Sequence, residues 1–404
     1  MRRMISASAN SSFLYLIART ASVGLATVMA LHYSKGLGPE NRGVLSFVTV
    51  AMMLLSEILL NALNLEMRST FDVDRLRSRV RIFAVASLKR ILFTVGLLLV
   101  AELFFSEYKS HITSKLYIIF SAYIFIALLA QQLMELLLAF SRIIESAIIE
   151  VTIVLIQVFT YCLLILATSF SLIVIVFLSL IIAYLFTSIL IVFYYKDNLY
   201  LLLNKSRNQS KSLLTNANSF LSQTLSVSLL DRVDKVLVLF IFSVSDFGKY
   251  MVATSVFLIL RFIPEAIGKL ILTRRLKSLT AFINIKKKSS LFLLVLAVIP
   301  LAKIGDLLIR KLLGIEWSLP LSLYIIVLSA EVVRFYLIVE LNRRNILRDH
   351  AFSVWAPLWI LIAITTSVFV LKPFLGIQSV PTVMFFTYGA IFWILSAKLN
   401  SKPS

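Results

Sequence analysis

Five basic residues lie inside long apolar runs of the sequence, where lipid would otherwise surround them: Arg19, Arg232, Lys235, Arg261 and Arg334. A cation at the centre of a bilayer costs roughly 2.5–3.5 kcal/mol, so such residues are expected to face protein or water. The guanidinium group suits bidentate binding of phosphate or carboxylate oxygens. These cations are therefore candidate contacts for an anionic substrate.

Depth within the apolar runs separates these cations. Arg232 and Arg261 lie about 12 to 13 residues, nearly 20 Å, from the start of their runs, too deep to reach an interface easily. Arg19 and Arg334 lie about six residues from one end of theirs, and their long side chains can extend toward the interface. Arg232 and Arg261 are therefore the stronger candidates for a substrate pathway.

Neighbouring carboxylates offer a second interpretation, in which the cations are neutralised and have no further role. Spacings of three or four residues place partners on one helix face in the pairs Asp231–Lys235, Arg261–Glu265 and Glu331–Arg334. Burying such pairs is costly, so we favour a functional cavity. Four other carboxylates are candidates for proton or sodium coupling, or else for hydrogen bonds between packed helices: Glu57, Glu135, Glu150 and Asp234.

The elements that must position these residues are membrane-spanning helices. Hydrophobic residues make up 60% of the 404 residues, charged residues make up 15%, and the mean hydropathy is +0.95, which excludes a soluble protein. A spanning helix needs about 20 apolar residues, and continuous runs of that length exclude a barrel. The sequence predicts an all-α polytopic membrane protein with twelve spans, at 12–33, 43–65, 85–106, 116–140, 145–168, 172–195, 218–243, 249–269, 290–309, 319–340, 351–371 and 381–398.

The charge distribution predicts the orientation of the spans. Lys and Arg are concentrated in alternate loops, which places both termini in the cytoplasm. The net charge of +20 therefore points to loop topology rather than to nucleic-acid binding. The basic segment 72–90 is predicted to be an ordinary cytoplasmic loop or, alternatively, a segment lying along the inner leaflet.

Several kinds of chemistry find no support in the sequence. The single cysteine, Cys162, excludes intrachain disulfides, and the three histidines form no local metal motif. No G-x-x-x-x-G-K-[ST] loop is present, so the chain is not itself an ATP-driven pump. The short outer loops disfavour an enzyme. No cofactor is expected beyond a coupling proton or sodium ion.

The chain also divides into two similar halves. An offset that aligns Gly43 with Gly248 places GPENRGVLSFVTVAMMLL over SVSDFGKYMVATSVFLIL. Six spans in each half, both beginning inside, predict parallel repeats with substrate between them near the midplane. The predicted domains are a six-helix bundle at 1–196, a cytoplasmic linker at 197–217 and a second six-helix bundle at 218–404.

Four stretches carry a resemblance to a known family: LGPENRG (37–43), DRVDKVLVLF (231–240), SDFGKYMVA (245–253) with Pro264 downstream, and LLGIEW (312–317). They resemble the polysaccharide-export and O-antigen flippases of the multidrug/oligosaccharidyl-lipid/polysaccharide exporter superfamily, over almost the whole chain. The last stretch is the least specific, because a Gly and a Trp at a helix entrance also serve as an interfacial anchor.

The resemblance implies two bundles around a cavity that opens alternately to the cytoplasm and the periplasm, in the bacterial inner membrane. The implied substrate is a polyprenyl-diphosphate-linked oligosaccharide for lipopolysaccharide O-antigen, capsule or exopolysaccharide. A polysaccharide polymerase and chain-length machinery are implied partners. Arg232 and Arg261 are then expected to contact diphosphate or acidic sugars, with Arg19 and Arg334 as outer members and Lys235 and Asp234 completing the cluster.

Three rival functions remain open. A multidrug-type cation antiporter of the same superfamily would present net negative charge in its cavity. A membrane-embedded transferase or ligase acting on the same lipid is disfavoured by the short outer loops. A scaffold for the polysaccharide machinery would tolerate the loss of every buried arginine.

Overall fold

The computed structural model describes residues 2–69, 73–101, 114–140, 142–194, 232–257, 287–346 and 350–400. All regular structure within those ranges is helical. The helices of the first part are α1 (Arg2–Ser69), α2 (Val73–Ala101), α3 (Ser114–Ala139), α4 (Ile143–Ala167) and α5 (Leu172–Tyr194). The later helices are α6 (232–241), α7 (Val244–Val256), α8 (Lys287–Leu313), α9 (Leu321–Ile346), α10 (His350–Leu375) and α11 (Ser379–Asn400).

Helix α1 is two helices joined at a kink. Gly38 has φ 74° and ψ 165°, which interrupts the helical backbone, and Pro39 follows it. Glycine adopts positive φ without the steric cost of a Cβ atom, and proline is well suited to the first turn of a helix. The break falls between the predicted spans 12–33 and 43–65. The LGPENRG stretch is therefore a tight helix-to-helix corner.

Helix α2 begins earlier than the sequence predicted. It starts at Val73, about twelve residues before the predicted span at 85–106, so the basic segment is helical rather than an irregular loop. Hydropathy did not locate the start of this helix, because arginines alternate there with Leu, Val and Phe. Their charges lower the local hydropathy without reducing the helix propensity. Its position on the inner leaflet stays a prediction.

Four stretches of the described chain are long and apolar enough to cross a membrane: Leu116–Ala139, Ile144–Ala167, Leu172–Tyr194 and Trp359–Ile391. Trp359–Ile391 covers parts of two predicted spans, 351–371 and 381–398, and a 3-10 turn at Gly376–Gln378 separates α10 from α11 within it. Helix α4 leaves a stripe of large apolar side chains on its surface: Ile148, Leu155, Phe159 and Leu166. Such a stripe is unsuited to water and is typical of a surface that contacts lipid.

The chain forms two compact units. One comprises Met1–Ala26 and Phe47–Ser228, and the other comprises Thr27–Ser46 and Leu229–Ser404. The corner at Gly38 thus groups with the C-terminal half of the chain. The predicted domain bounds at 196 and 218 stay a prediction.

In the first unit, hydrogen bonds and apolar contacts join neighbouring helices. The Ser87 hydroxyl donates to Gln132 Oε1 at 3.0 Å, which connects α2 with α3. The Ser56 hydroxyl donates to Gln131 Oε1 at 2.7 Å, which connects α1 with α3. Polar contacts between helices are a usual form of packing in membranes, where lipid competes for apolar surface. An apolar cluster lies between the same helices and contains Leu63, Met67, Phe83 and Leu136.

In the second unit, two glycines bring helices into very close contact. A methyl group at Gly43 would come within 2.7 Å of Val244 Cγ1 and closer still to the Val244 carbonyl oxygen. A methyl group at Gly248 would come within 2.9 Å of Gly43 N and closer still to the Pro39 carbonyl oxygen. Small residues permit such close backbone approach between membrane helices.

The turn before α9 differs from its sequence interpretation. Gly314 has φ 110° and leads into a 3-10 turn at Ile315–Trp317. Trp317 is buried, so it is a core residue of the second unit rather than an aromatic anchor at the membrane interface. Gly314 explains the burial, because its positive φ turns the chain back at the end of α8.

Candidate functional site

Arg19 lies in the first unit and forms an ion pair with Glu150 of α4. Its Nη1 also lies 3.4 Å from the buried Tyr15 hydroxyl, one turn earlier on the same helix. The Ser22 hydroxyl donates to the Glu150 carbonyl at 3.2 Å. The sequence predicted the cation but not its partner, because Arg19 and Glu150 are more than a hundred positions apart. Glu150 is therefore an ion-pair partner in this structure.

Arg334 lies on α9 in the second unit and pairs with Glu331 one turn earlier. Arg334 Nη1 donates to Glu331 Oε1 at 3.1 Å, and both side chains are buried. The pairing predicted from the three-residue spacing is confirmed. With only 2% of its side chain exposed, Arg334 does not extend toward an interface.

Helix α6 carries the densest group of charges in the described part of the second unit. Arg232, Asp234 and Lys235 are all buried there. The hydroxyl of Tyr250, on α7, donates to Asp234 Oδ2 at 3.3 Å. Tyr250 also lies within electrostatic range of Glu331 and Arg334 on α9.

We call the residues from these three helices the α6–α9 polar cluster: Arg232, Asp234, Lys235, Tyr250, Glu331 and Arg334. Its described members include three cations and two carboxylates, and Asp231, next to Arg232 in the sequence, lies outside the described residues. Charges buried in a low-dielectric interior interact strongly, so the buried cations favour anionic groups nearby. Tyr250 connects two sites that the sequence analysis treated separately, Asp234 on α6 and the Glu331–Arg334 pair on α9.

Tyr250 is the member of the cluster that sequence reasoning missed. It lies in the SDFGKYMVA stretch, which was noted only for its resemblance to a family. A tyrosine in an otherwise apolar span is itself a signal, because a buried hydroxyl requires a hydrogen-bond partner.

Several sequence candidates cannot be compared with the structure. Arg261 and Glu265 lie outside the described residues, as does Asp231, the predicted partner of Lys235. The side chain of Glu57 is also outside the described set. Glu135 lies half-buried on α3, in the first unit.

Arg42 is a further buried cation, and it lies in the short outer loop predicted between the spans 12–33 and 43–65. It lies on the second helix of α1, just after the corner, with 6% of its surface exposed. Its guanidinium carbon is 5.4 Å from the centroid of the Tyr33 ring, a cation–π distance. Hydropathy could not reveal this burial, because the polar corner residues around Arg42 resemble a loop.

Metal binding finds no support in the described side chains. No group of three or more His, Cys, Asp or Glu among them is placed to hold a metal ion.

Comparison with known proteins identifies the fold of this chain but not a family to which it belongs. No protein-family model matches the chain, and no curated protein sequence matches it. Among solved structures, a point mutant of the Vibrio cholerae MATE transporter VcmN has a TM-score of 0.68 at 10% identity, over 98% of each chain. An outward-facing multidrug resistance MATE transporter of the MOP superfamily has a TM-score of 0.63 at 15% identity, over 98% of this chain and 97% of the other.

A third similar structure is a MOP-superfamily transporter from Pyrococcus furiosus. It has a TM-score of 0.60 at 13% identity, over 97% of this chain and 96% of the other. Its description states that a reversed polarity of the binding pocket suggests a different function. The chain thus has the all-α, two-repeat helical fold of MATE transporters of the MOP superfamily, which confirms the predicted fold class.

Proposed function

We propose that this protein is a multi-pass membrane transporter that moves its substrate by alternating access. The fold supports this proposal, since it is shared over nearly the full chain with transporters described in outward-facing and inward-facing conformations. The lipid-type surface of α4 supports a membrane location. The proposed location is the bacterial inner membrane with both termini in the cytoplasm, and the proposed role is transport rather than enzymatic catalysis.

The substrate we propose is a polyprenyl-diphosphate-linked oligosaccharide, flipped from the inner to the outer leaflet. The observation that carries this proposal is the α6–α9 polar cluster, in which three cations are buried: Arg232, Lys235 and Arg334. A diphosphate needs cationic partners, and Arg232 with Lys235 offers two of them on one helix. Arg261 belongs to the same proposed path.

Arg19 and Arg334 have a different proposed role from Arg232. Each already has a carboxylate partner, Glu150 or Glu331. For such an arginine to bind the substrate, the diphosphate must replace the carboxylate or share the guanidinium with it. Guanidinium groups have five N–H donors, so sharing is chemically feasible. We propose that these two pairs are outer contacts that open when the substrate passes.

Ion coupling is proposed at buried carboxylates. Asp234 is the best-placed candidate, because it is buried between two cations on its own helix and bonded to Tyr250. A proton or sodium ion at Asp234 would change the net charge of the α6–α9 polar cluster. Glu57 and Glu135 remain candidates in the first unit.

A multidrug-type cation antiporter is the second candidate function, and the structural comparisons favour it more directly. The similar structures include several MATE transporters, and two of them are described as multidrug resistance transporters. The half-buried Glu150 and the buried Asp234 and Glu331 could serve a cationic drug if their basic partners were displaced. The Pyrococcus furiosus structure supports the view that this fold accommodates pockets of different polarity.

One pair of assays separates the two candidates. Cells lacking the gene are scored for surface polysaccharide and for the inhibitory concentrations of a panel of cationic dyes and drugs. The flippase proposal predicts that these cells lose the polysaccharide while their drug sensitivity is unchanged. Genes encoding Arg232→Ala or Arg261→Ala, expressed at normal levels, should not restore the polysaccharide. Increased drug sensitivity with normal polysaccharide would instead establish the antiporter.

Copurification with a polysaccharide polymerase or chain-length protein tests the proposed partners.

A further inference from the structure

Arg42 is a buried cation with an aromatic neighbour. It is 6% exposed, and its guanidinium lies over Tyr33. Its Nε atom has no hydrogen-bond partner, and among the described residues no carboxylate forms an ion pair with it. A cation–π contact contributes roughly 0.5–2 kcal/mol, whereas a buried charge costs several kcal/mol to remove from water. The Tyr33 ring alone therefore does not compensate for the burial of Arg42.

Ser46 lies one helical turn after Arg42, on the same face of the helix. It is 1% exposed, and its hydroxyl has no hydrogen-bond partner in the described structure. Two other buried hydroxyls, those of Ser34 and Thr187, each donate to the carbonyl four residues earlier, whereas the buried hydroxyl of Ser146 also has no partner in the described structure. Two polar groups without hydrogen bonds, a guanidinium Nε and a hydroxyl, are thus stacked on one buried face.

The N-terminus of α7 lies close to Gly43, the residue after Arg42. The backbone of Gly43, next to Arg42, lies against the carbonyl of Val244, the first residue of α7. A helix N-terminus carries a partial positive charge. Glu40, two residues before Arg42, is exposed, and Asp246 of α7 accepts a hydrogen bond from the Ser243 hydroxyl at 2.7 Å.

We propose that Arg42 and Ser46 form a binding site for the oxyanion of a phosphate group. The guanidinium supplies charge and N–H donors, the hydroxyl supplies a third donor, and Tyr33 holds the guanidinium plane. The site uses other residues than the α6–α9 polar cluster and does not depend on which substrate is transported. The same chemistry fits a lipid headgroup phosphate and a free phosphate.

The test uses the full-length protein purified in neutral detergent. Its thermal unfolding midpoint is titrated with inorganic phosphate against chloride of equal ionic strength. In a second arm, the same midpoint is measured in neutral detergent with added phosphatidylglycerol, with phosphatidylcholine, or with diacylglycerol, which has no phosphate. A response to inorganic phosphate indicates a free oxyanion, a response to phospholipid but not to diacylglycerol indicates a lipid headgroup, and either supports the site.

Variants identify the residues responsible. Arg42→Gln is expected to weaken the response about tenfold, and Ser46→Ala about threefold, which are typical effects of losing a charged or a neutral hydrogen bond. Arg310→Gln is the matched control, since Arg310 is an exposed cation paired with Asp306, and it should respond like the wild type. If Arg42→Gln does not fold, the response of the unfolding midpoint is compared in Ser46→Ala and Arg42→Lys instead. Equal responses in wild type and variants, or no wild-type response in either arm, would overturn the proposal.

Discussion

Gly43 and Gly248 make equivalent close contacts in the second unit. Gly43 lies against Val244, and Gly248 lies against Pro39. The offset that aligns the two glycines in the sequence also aligns Pro39 with Val244. Each glycine therefore contacts the residue that stands four positions before the other glycine, so corresponding positions of the two repeats make equivalent contacts. This reciprocity is structural support for a repeat that sequence identity alone shows only weakly.

Alanine at Gly248 should destabilise the protein. The added methyl would meet backbone atoms of Pro39 and Gly43, which cannot move aside as a flexible side chain can. Overpacking of this kind typically costs about 1–3 kcal/mol. Chemical denaturation in neutral detergent measures the loss.

Gly24→Ala is the control for Gly248→Ala. A methyl at Gly24 meets no atom within 4 Å, so this variant should be neutral or slightly stabilising, as expected for alanine in a helix. Equal losses in the two variants would show that the Gly248 contact is less close than described.

The Arg19–Glu150 pair should show strong coupling in a double-mutant cycle. Arg19→Met or Glu150→Leu alone leaves a largely buried charge without its partner and should cost about 2–3 kcal/mol, less than a fully buried pair would. The double variant should cost clearly less than the sum. Additive losses would show that the pair contributes no interaction energy.

Transport by the same double variant separates two roles of Arg19. A purely structural pair would allow a stable Arg19→Met, Glu150→Leu protein to transport normally. The proposal that Arg19 contacts the substrate predicts that transport falls at least tenfold while protein level is maintained. Normal transport would remove Arg19 from the substrate path.

The sequence predicted most of the helices but few of the partners. Continuous apolar runs located α3, α4 and α5 within about two residues, because bilayer thickness imposes both length and composition on a span. The sequence did not predict the early start of α2, where arginines alternate with apolar residues. Arg334–Glu331 was predictable, since both residues lie on one turn of one helix.

Contacts between distant segments were not predictable from one sequence. Arg19–Glu150 joins residues with no local signal, and Tyr250–Asp234 depends on how α7 returns beside α6. Arg42 was assigned to a loop because hydropathy reports composition, whereas its burial results from packing around the corner at Gly38.

Tyr250→Phe should weaken transport more than it weakens folding. The substitution removes the hydrogen bond to Asp234, which should cost about 1–3 kcal/mol and alter the charge environment of the α6–α9 polar cluster. Unfolding and transport are measured on the same preparation.

Tyr324→Phe is the matched control for Tyr250→Phe. Tyr324 is equally buried, but its hydroxyl accepts a hydrogen bond from the Leu319 backbone N–H at 3.4 Å rather than contacting a carboxylate. Its stability loss should be similar and its transport normal. Parallel losses of transport in both variants would assign Tyr250 a structural role only.

The most direct test of the central claim is the leaflet location of radiolabelled lipid-linked oligosaccharide, probed with a membrane-impermeant glycosidase. The proposal predicts that cells without the gene accumulate the lipid on the inner leaflet, and that the wild-type gene restores its outer location while Arg232→Ala does not. An unchanged distribution in deleted cells that have no second flippase would contradict the proposed substrate. That result would favour the cation antiporter.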